Sequence, residues 1–247
     1  MKNLSILFHE TKLMLKMFFR DRQSFFWAYV FPAGLLILFT SLFRSQNPAV
    51  AGGMLVSIIG ISVMAGGLFG IGVAVVTARE AGIYKRYKTT PLSSWIIFVS
   101  HMLTRTITIF SSILLLILIS VIGYGVELKG DIASSLLIII IGIFTFCGLG
   151  FVIASFARTM GAALGITNVV FMFMLFIAGI FPVFMLPKLV RWAALVLPIT
   201  YFRIALQAAM VEGASIFSSW KEILILLGFM AVFAAVSIKW FHWERTS

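Results

Sequence analysis

The chain has 247 residues, of which 62% are hydrophobic and 11% are charged. Together with a mean hydropathy of +1.12, this composition excludes a water-soluble globular fold and is typical of an integral membrane protein. The formal net charge of +11 belongs mainly to basic residues that flank apolar segments, so we interpret it as membrane orientation and predict no nucleic-acid partner.

Residues 1–22 predict an amphipathic helix that lies along the membrane surface, with its lysines toward lipid phosphate groups. Wound as a helix, the segment has an apolar arc of Leu4, Leu7, Phe8, Met14, Leu15, Phe18 and Phe19, opposite a polar arc of Lys2, Ser5, His9, Lys12, Lys16 and Arg20. Packing of the apolar arc on a soluble domain is disfavoured because the chain contains no other such domain. The charges also interrupt any signal-peptide core, so we expect every span to remain in the mature protein.

Six apolar runs are long enough to cross a bilayer, which requires about 20 helical residues for roughly 30 Å of hydrocarbon. The predicted spans 1 to 6 are residues 24–43, 53–78, 95–124, 132–157, 162–185 and 223–241. Span 3 is longer than a simple crossing, and His101 and Arg105 in its first turns predict that it begins before it enters the lipid. We therefore predict an all-α integral membrane protein in which residues 1–247 form a single transmembrane domain.

The distribution of basic residues predicts the orientation. The six spans divide the 19 Lys and Arg residues into thirteen on one side and six on the other. Because cytoplasmic loops carry the excess of positive charge, we expect both termini to be cytoplasmic and the protein to lie in an inner or plasma membrane.

Residues 79–94, between spans 2 and 3, mix acidic, aromatic and basic side chains. The segment contains Glu80, Gly82, Tyr84, Lys85, Arg86, Tyr87, Lys88, Thr90 and Pro91. Thr90 and Pro91 predict a capped helix start for span 3, preceded by a short cytoplasmic helix. From the residues alone, lipid-headgroup binding and docking of a partner protein are equally open roles for this segment.

Residues 181–203, between spans 5 and 6, are apolar but contain three prolines, Pro182, Pro187 and Pro198. Proline interrupts a helix, so the segment predicts short re-entrant or interfacial helices on the exoplasmic side. Trp192 and Tyr201 would lie at the level of the headgroups. Irregular backbone at this depth is tolerated only where protein or a water-filled cavity covers it.

The sequence lacks the residues that catalysis or ion coupling would need. There is no phosphate-binding loop, H-E-x-x-H or nucleophile-elbow motif, and the single cysteine, Cys147, excludes a disulfide framework. No predicted span has an ionisable residue near its middle, which disfavours a proton-coupled carrier or an ion channel. We therefore predict no enzyme activity, metal or cofactor in this chain, and uphill transport would need energy from a partner.

In their order along the chain, these features resemble the permeases of the ABC-2 type transporters. The matching elements are Arg20-Asp21-Arg22, Pro32 in span 1, the loop from Arg79-Glu80-Ala81-Gly82 to Thr90-Pro91-Leu92-Ser93, and the stretch with Phe181-Pro182, Leu186-Pro187 and Leu197-Pro198-Ile199-Thr200-Tyr201. The resemblance implies a homodimer or heterodimer of six-span subunits that is served by two copies of a separate ATPase, which would bind ATP and Mg.

The same resemblance implies roles for individual segments. The loop between spans 2 and 3 would couple the permease to the ATPase, and Pro182, Pro187, Pro198 and Tyr201 would belong to an exoplasmic cap. The spans would form a path for an amphipathic or hydrophobic cargo such as a drug, a peptide antibiotic or a lipid-linked molecule.

Small and polar residues predict which spans meet between the two subunits. Close helix packing in lipid depends on small residues and polar contacts, and such residues recur in spans 2 and 5. We predict that these spans line the seam and the path, with Gly66, Gly70, Gly165, Asn168, Phe171 and Met172. An Asn168 satisfied inside its own subunit is an equally open alternative.

A different class of function also remains open from the sequence. The chain could be a membrane scaffold, or an immunity protein that binds a toxin or lipid without exporting it. An ATPase encoded nearby or purified with the chain would distinguish transport from these alternatives.

Overall fold

The computed structural model describes residues 2–43, 49–84, 94–179 and 187–240. Within these ranges the chain forms helices joined by short turns, and six of the helices are long and apolar enough to cross a membrane. Spans 1 to 6 are Arg22–Phe43, Ala51–Glu80, Trp95–Gly123, Ile132–Phe156, Met160–Ile177 and Ile216–Trp240. The predicted all-α membrane class is confirmed, although span 6 begins at Ile216 and not at residue 223.

The N-terminal helix, Lys2–Arg20, packs along the first half of span 3. Leu7, Thr11 and Phe18 are buried in this contact, whereas Leu4 and Phe8 are exposed. The predicted apolar arc is therefore shared between protein and lipid. The sequence argument overlooked span 3 as a surface that could receive one part of it.

Asp21 and Asp131 begin spans 1 and 4 by the same local mechanism. Asp21 accepts hydrogen bonds from the backbone N–H of Gln23 at 3.2 Å and of Ser24 at 3.3 Å. Asp131 accepts from the backbone N–H of Ser134 at 3.0 Å and from its hydroxyl at 2.6 Å. The serine hydroxyls, which bind the ionised carboxylates, hold the pKa of both aspartates below its ordinary value. Each cap satisfies backbone donors that a helix start leaves without partners.

Spans 2 and 4 form the core of the bundle because glycines bring their backbones into contact. A Cβ atom at Gly67 would lie 2.5 Å from the carbonyl carbon of Phe146, and one at Gly150 would lie 2.5 Å from the Gly67 oxygen. Gly72 packs against Gly150 from the other side. Since dispersion forces and backbone proximity drive helix association in lipid, this contact fixes the two spans as one unit.

A polar seam joins spans 1 and 3. Span 1 contains a π-helical segment, Phe26–Val30, within which the Ala28 carbonyl accepts a hydrogen bond from the Ser112 hydroxyl at 2.6 Å. The hydroxyls of Tyr29 and Ser111 lie 2.6 Å apart, and Tyr124 donates to the Ile37 carbonyl at 3.0 Å. A π segment departs from the regular hydrogen bonding of an α-helix. Here Ser112 of span 3 supplies a donor for one carbonyl of that segment.

Two short helices, Lys188–Ala194 and Pro198–Met210, connect spans 5 and 6. The second of these packs among spans 2, 4 and 6, with Phe202 filling the space at Gly142 of span 4 and Ile199 lying against Gly60 of span 2. This helix continues to Met210, past the predicted boundary at residue 203. Its extension is stabilised by tertiary burial of Ala205, Leu206 and Ala209, which a short apolar run does not reveal.

We expect Gly67→Ala and Gly150→Ala each to destabilise the protein. The added methyl group must displace backbone atoms of the facing span, and overpacking of this kind costs about 1–3 kcal/mol. Thermal unfolding in detergent should therefore shift to lower temperature. Gly228→Ala in span 6 is the matched control, because no atom lies within 4 Å of its Cβ position. Equal melting temperatures for all three variants would contradict the proposed glycine contact.

Candidate functional site

Two adjacent residues at the end of span 2 reach the turn that joins spans 4 and 5. Arg79 Nη2 donates a hydrogen bond to the carbonyl of Ala157, just after the last residue of span 4. Glu80 Oε2 accepts a hydrogen bond of 2.8 Å from the backbone N–H of Met160, the first residue of span 5. Arg79 is only 9% exposed and Ala157 only 2%, so the arginine contact is shielded from water.

The local backbone explains why these two side chains find partners there. Span 4 ends because Ala157 adopts an extended conformation, and span 5 begins after Thr159, whose hydroxyl accepts from the Ala162 N–H at 3.2 Å. A helix leaves unpaired carbonyls at its C-terminus and unpaired N–H groups at its N-terminus. A cation therefore meets the negative end of span 4, and an anion meets the positive end of span 5.

The residues that follow Glu80 belong to the predicted coupling segment and are described as far as Tyr84. Gly82 has a φ of +70° and donates a backbone hydrogen bond of 3.1 Å to the Arg79 carbonyl. Ile83 is 40% exposed, whereas Tyr84 is 5% exposed. Ile83 is thus the large apolar side chain that residues 79–84 leave accessible. The remaining predicted coupling residues, Lys85, Arg86, Tyr87, Lys88, Thr90 and Pro91, lie outside the described residues.

The predicted seam residues of span 2 face the interior of their own chain. A Cβ atom at Gly66 would lie 2.6 Å from the Ile109 side chain, and one at Gly70 would lie 2.8 Å from the Arg105 side chain. Both contacts are with span 3. These glycines therefore provide packing inside the subunit.

The predicted seam residues of span 5 are more accessible. Gly165 has no atom within 4 Å of its Cβ position, and Asn168 and Met172 are exposed. Phe171 turns inward and meets Phe69 of span 2 edge-on, with 5.4 Å between ring centroids. The outward face carries a shallow apolar groove, which is lined by Ala162, Gly165, Ile166, Val169 and Val170.

The predicted exoplasmic residues that the structure describes, Pro187, Pro198 and Tyr201, lie in or beside the two short helices. Pro187 precedes the first short helix, and Pro198 occupies the first turn of the second. Tyr201 donates to the Leu195 carbonyl at 2.6 Å, which closes the turn between the helices. Pro182 lies outside the described residues.

Sequence reasoning missed the environment of Arg105. The residue was expected before span 3 enters the lipid, but its side chain packs between spans 2 and 3 in the space left by Gly70. Its guanidinium carbon lies 5.7 Å from the ring centre of Phe18 in the N-terminal helix. The Arg105 Nε is buried and has no hydrogen-bond partner among the described residues. The sequence does contain a glycine in span 2 and an arginine in span 3 that could pack together. It does not reveal the rotation of the two helices that makes Gly70 and Arg105 face each other.

Comparisons with known proteins extend over most of the chain. Residues 7–211 match the family model described as ABC-2 type transporter. The chain is also similar to a protein of Bacillus subtilis (strain 168) named Putative transport permease YvfS, with 26% identity over 239 residues. That similarity covers 95% of this chain and 96% of the relative.

We expect opposite effects from replacing Arg79 and Arg105 by methionine. Arg79→Met leaves the Ala157 carbonyl without its donor, which should cost about 1–3 kcal/mol. Arg105→Met gives up a cation–π contact worth about 0.5–2 kcal/mol, but it also removes a partly buried charge whose Nε has no hydrogen-bond partner among the described residues, and the burial of such a group is unfavourable. Thermal unfolding in detergent should fall for Arg79→Met and be unchanged or raised for Arg105→Met. A comparable fall in both variants would contradict this assignment.

Proposed function

The chain belongs to the ABC-2 type transporter family, and from this premise we propose that it is the permease subunit of an exporter driven by a separate ATP-binding-cassette ATPase. It is a multi-pass membrane protein and the membrane component of a transporter. The observation that carries the proposal is the family match over residues 7–211, which includes the N-terminal helix, spans 1 to 5 and both short helices. The sequence contains no phosphate-binding loop, so ATP and Mg would be bound by the partner subunit.

We propose that the end of the bundle where span 2 ends and spans 3 and 5 begin faces the cytoplasm. At this end the N-terminal helix packs against span 3, and residues 79–84 are the first part of a segment whose sequence continues with Lys85, Arg86 and Lys88. The thirteen-to-six division of Lys and Arg supports this orientation. Both termini would then be cytoplasmic, in an inner or plasma membrane.

Residues 79–94 would form the coupling segment that receives the movement of the ATPase. Ile83 supplies an accessible apolar side chain, and the sequence after it contains the basic residues Lys85, Arg86 and Lys88, a combination of residue types that suits a protein interface. Gly82 allows the chain to reverse direction directly after span 2. Arg79 and Glu80, the first two residues of this segment, contact the turn between spans 4 and 5, and this contact supports a route from the segment to span 5.

A second permease subunit, identical or homologous, would pack on the outward face of span 5. This face combines small residues with an open groove, and helices in lipid associate through such surfaces. Asn168 lies on the exposed side of the helix, where a partner subunit or the water of a transport path would satisfy its amide. Phe171 connects this face to span 2 behind it.

The two short helices would act as re-entrant elements that cap the path on the exoplasmic side, and the cargo would be amphipathic or hydrophobic.

Cysteine crosslinking tests the seam between subunits. In a Cys147→Ala background, single cysteines along residues 169–176 should form intersubunit disulfides on one helical face, with Val169 among the reactive positions. Val232 is the control, because it is similarly exposed on span 6 and should not crosslink. The absence of crosslinks on every face of span 5 would exclude this seam.

Copurification with a separate ATP-binding-cassette ATPase tests the function. In inside-out vesicles, a cysteine at Ile83 should react with an impermeant maleimide, and bound ATPase should protect it. A cysteine at exposed Lys239 should react with or without ATPase, and one at exposed Lys188 should not react because it would face the vesicle lumen. If no ATPase binds and Ile83 is never protected, a scaffold or an immunity protein becomes the better explanation.

A further inference from the structure

We propose that Arg79 and Glu80 form a link that transmits movement of the coupling segment to span 5. The two side chains hold the turn at residues 157–160 from both sides. Its use in transport rests on the proposed function, but the link itself is a contact within one chain and can be measured without a partner.

The link acts on a helix end whose backbone groups need partners. Met160 N–H is one of the unpaired donors at the start of span 5, and Glu80 accepts from it at 2.8 Å. The negative charge of Glu80 also lies at the positive end of the span 5 dipole. Arg79 makes the complementary contact with the Ala157 carbonyl. Consecutive residues thus bind both sides of a three-residue connection, so a shift of the end of span 2 is imposed on both helix ends.

The packing around the link determines which element can respond. Spans 2 and 4 are joined backbone to backbone through Gly67 and Gly150, and this contact favours their movement as one unit. Span 5 is held less closely, because Gly161 and Gly165 have no atom within 4 Å of their Cβ positions. Residues at the ends of helices are the usual hinges in such rearrangements. A movement applied at Glu80 would therefore change the tilt of span 5 more readily than it would separate spans 2 and 4.

The coupling segment is attached directly to the link. Gly82 N–H bonds to the Arg79 carbonyl at 3.1 Å, so the turn that begins the segment is hydrogen-bonded to the link residue itself. Tyr84 is buried within the chain, which further limits independent movement of this turn. Force on the exposed Ile83 side chain would consequently reach Arg79 and Glu80 through two residues of ordered backbone.

Hydrogen exchange of the permease alone tests the contact. Glu80→Ala removes the acceptor for the Met160 N–H and should accelerate exchange in the first turn of span 5 by about tenfold. Glu80→Gln retains an acceptor oxygen and should remain close to the parent protein. Glu127→Ala, in the exposed loop before span 4, is the control and should have no effect on this turn. Unchanged exchange in Glu80→Ala would overturn the link.

A second measurement separates transmission of movement from a merely structural cap. With the copurified ATPase present, the labelling rate of a cysteine at Val169 should change on trapping with ATP and vanadate, in a Cys147→Ala background. Glu80→Ala should lose this change when the labelling rate is compared at equal amounts of bound ATPase, and Glu80→Gln should restore it. A full nucleotide response in Glu80→Ala would overturn the proposal. No response in the parent complex would instead contradict the proposed exporter function, and hydrogen exchange would then decide the link alone.

Discussion

The structure depends on the requirement that backbone polar groups inside a bilayer find partners within the protein. Water cannot satisfy an unpaired N–H or carbonyl in hydrocarbon, and each such group costs several kcal/mol. At three places where the regular helical hydrogen bonding is interrupted, a side chain from the same chain supplies a partner. Ser112 reaches the π segment of span 1, Arg79 and Glu80 reach the turn between spans 4 and 5, and Tyr201 reaches the turn between the short helices. These polar side chains thus compensate for irregular backbone within the chain.

The spans differ in how closely they pack, so the subunit has a closely packed part and a more accessible part. Spans 2 and 4 are mostly buried, and the second short helix packs against both. Spans 1, 5 and 6 present most of their surface outward. In a membrane component of a transporter, this difference favours one kind of movement. The closely packed helices move together, whereas a loosely packed helix can change its position relative to them. The Arg79 and Glu80 contacts lie where these two parts meet.

The hydrophobic pattern predicted the class, the number of spans and most of their boundaries, since a helix that crosses lipid needs a fixed length of apolar sequence. The partners of the glycines, by contrast, could not be predicted from the sequence. Gly66 and Gly70 have the spacing expected for a helix interface and do pack closely, but on side chains of span 3. The backbone contact between spans 2 and 4 belongs to Gly67, Gly72 and Gly150. Spacing along one helix identifies a face, whereas the identity of the facing helix depends on rotation and crossing angle.

Glu80 illustrates what each level of description decided. The sequence by itself determined that an acidic residue follows span 2 at the start of a basic loop, and family resemblance implied a coupling role for that loop. Only the tertiary structure brought its carboxylate to the Met160 N–H, because residues 80 and 160 are separated by two complete spans along the chain. Apolar length and charge bias act locally and can be read from sequence. The pairing of helix ends depends on how every intervening span turns and packs, and that information is present only in the folded molecule.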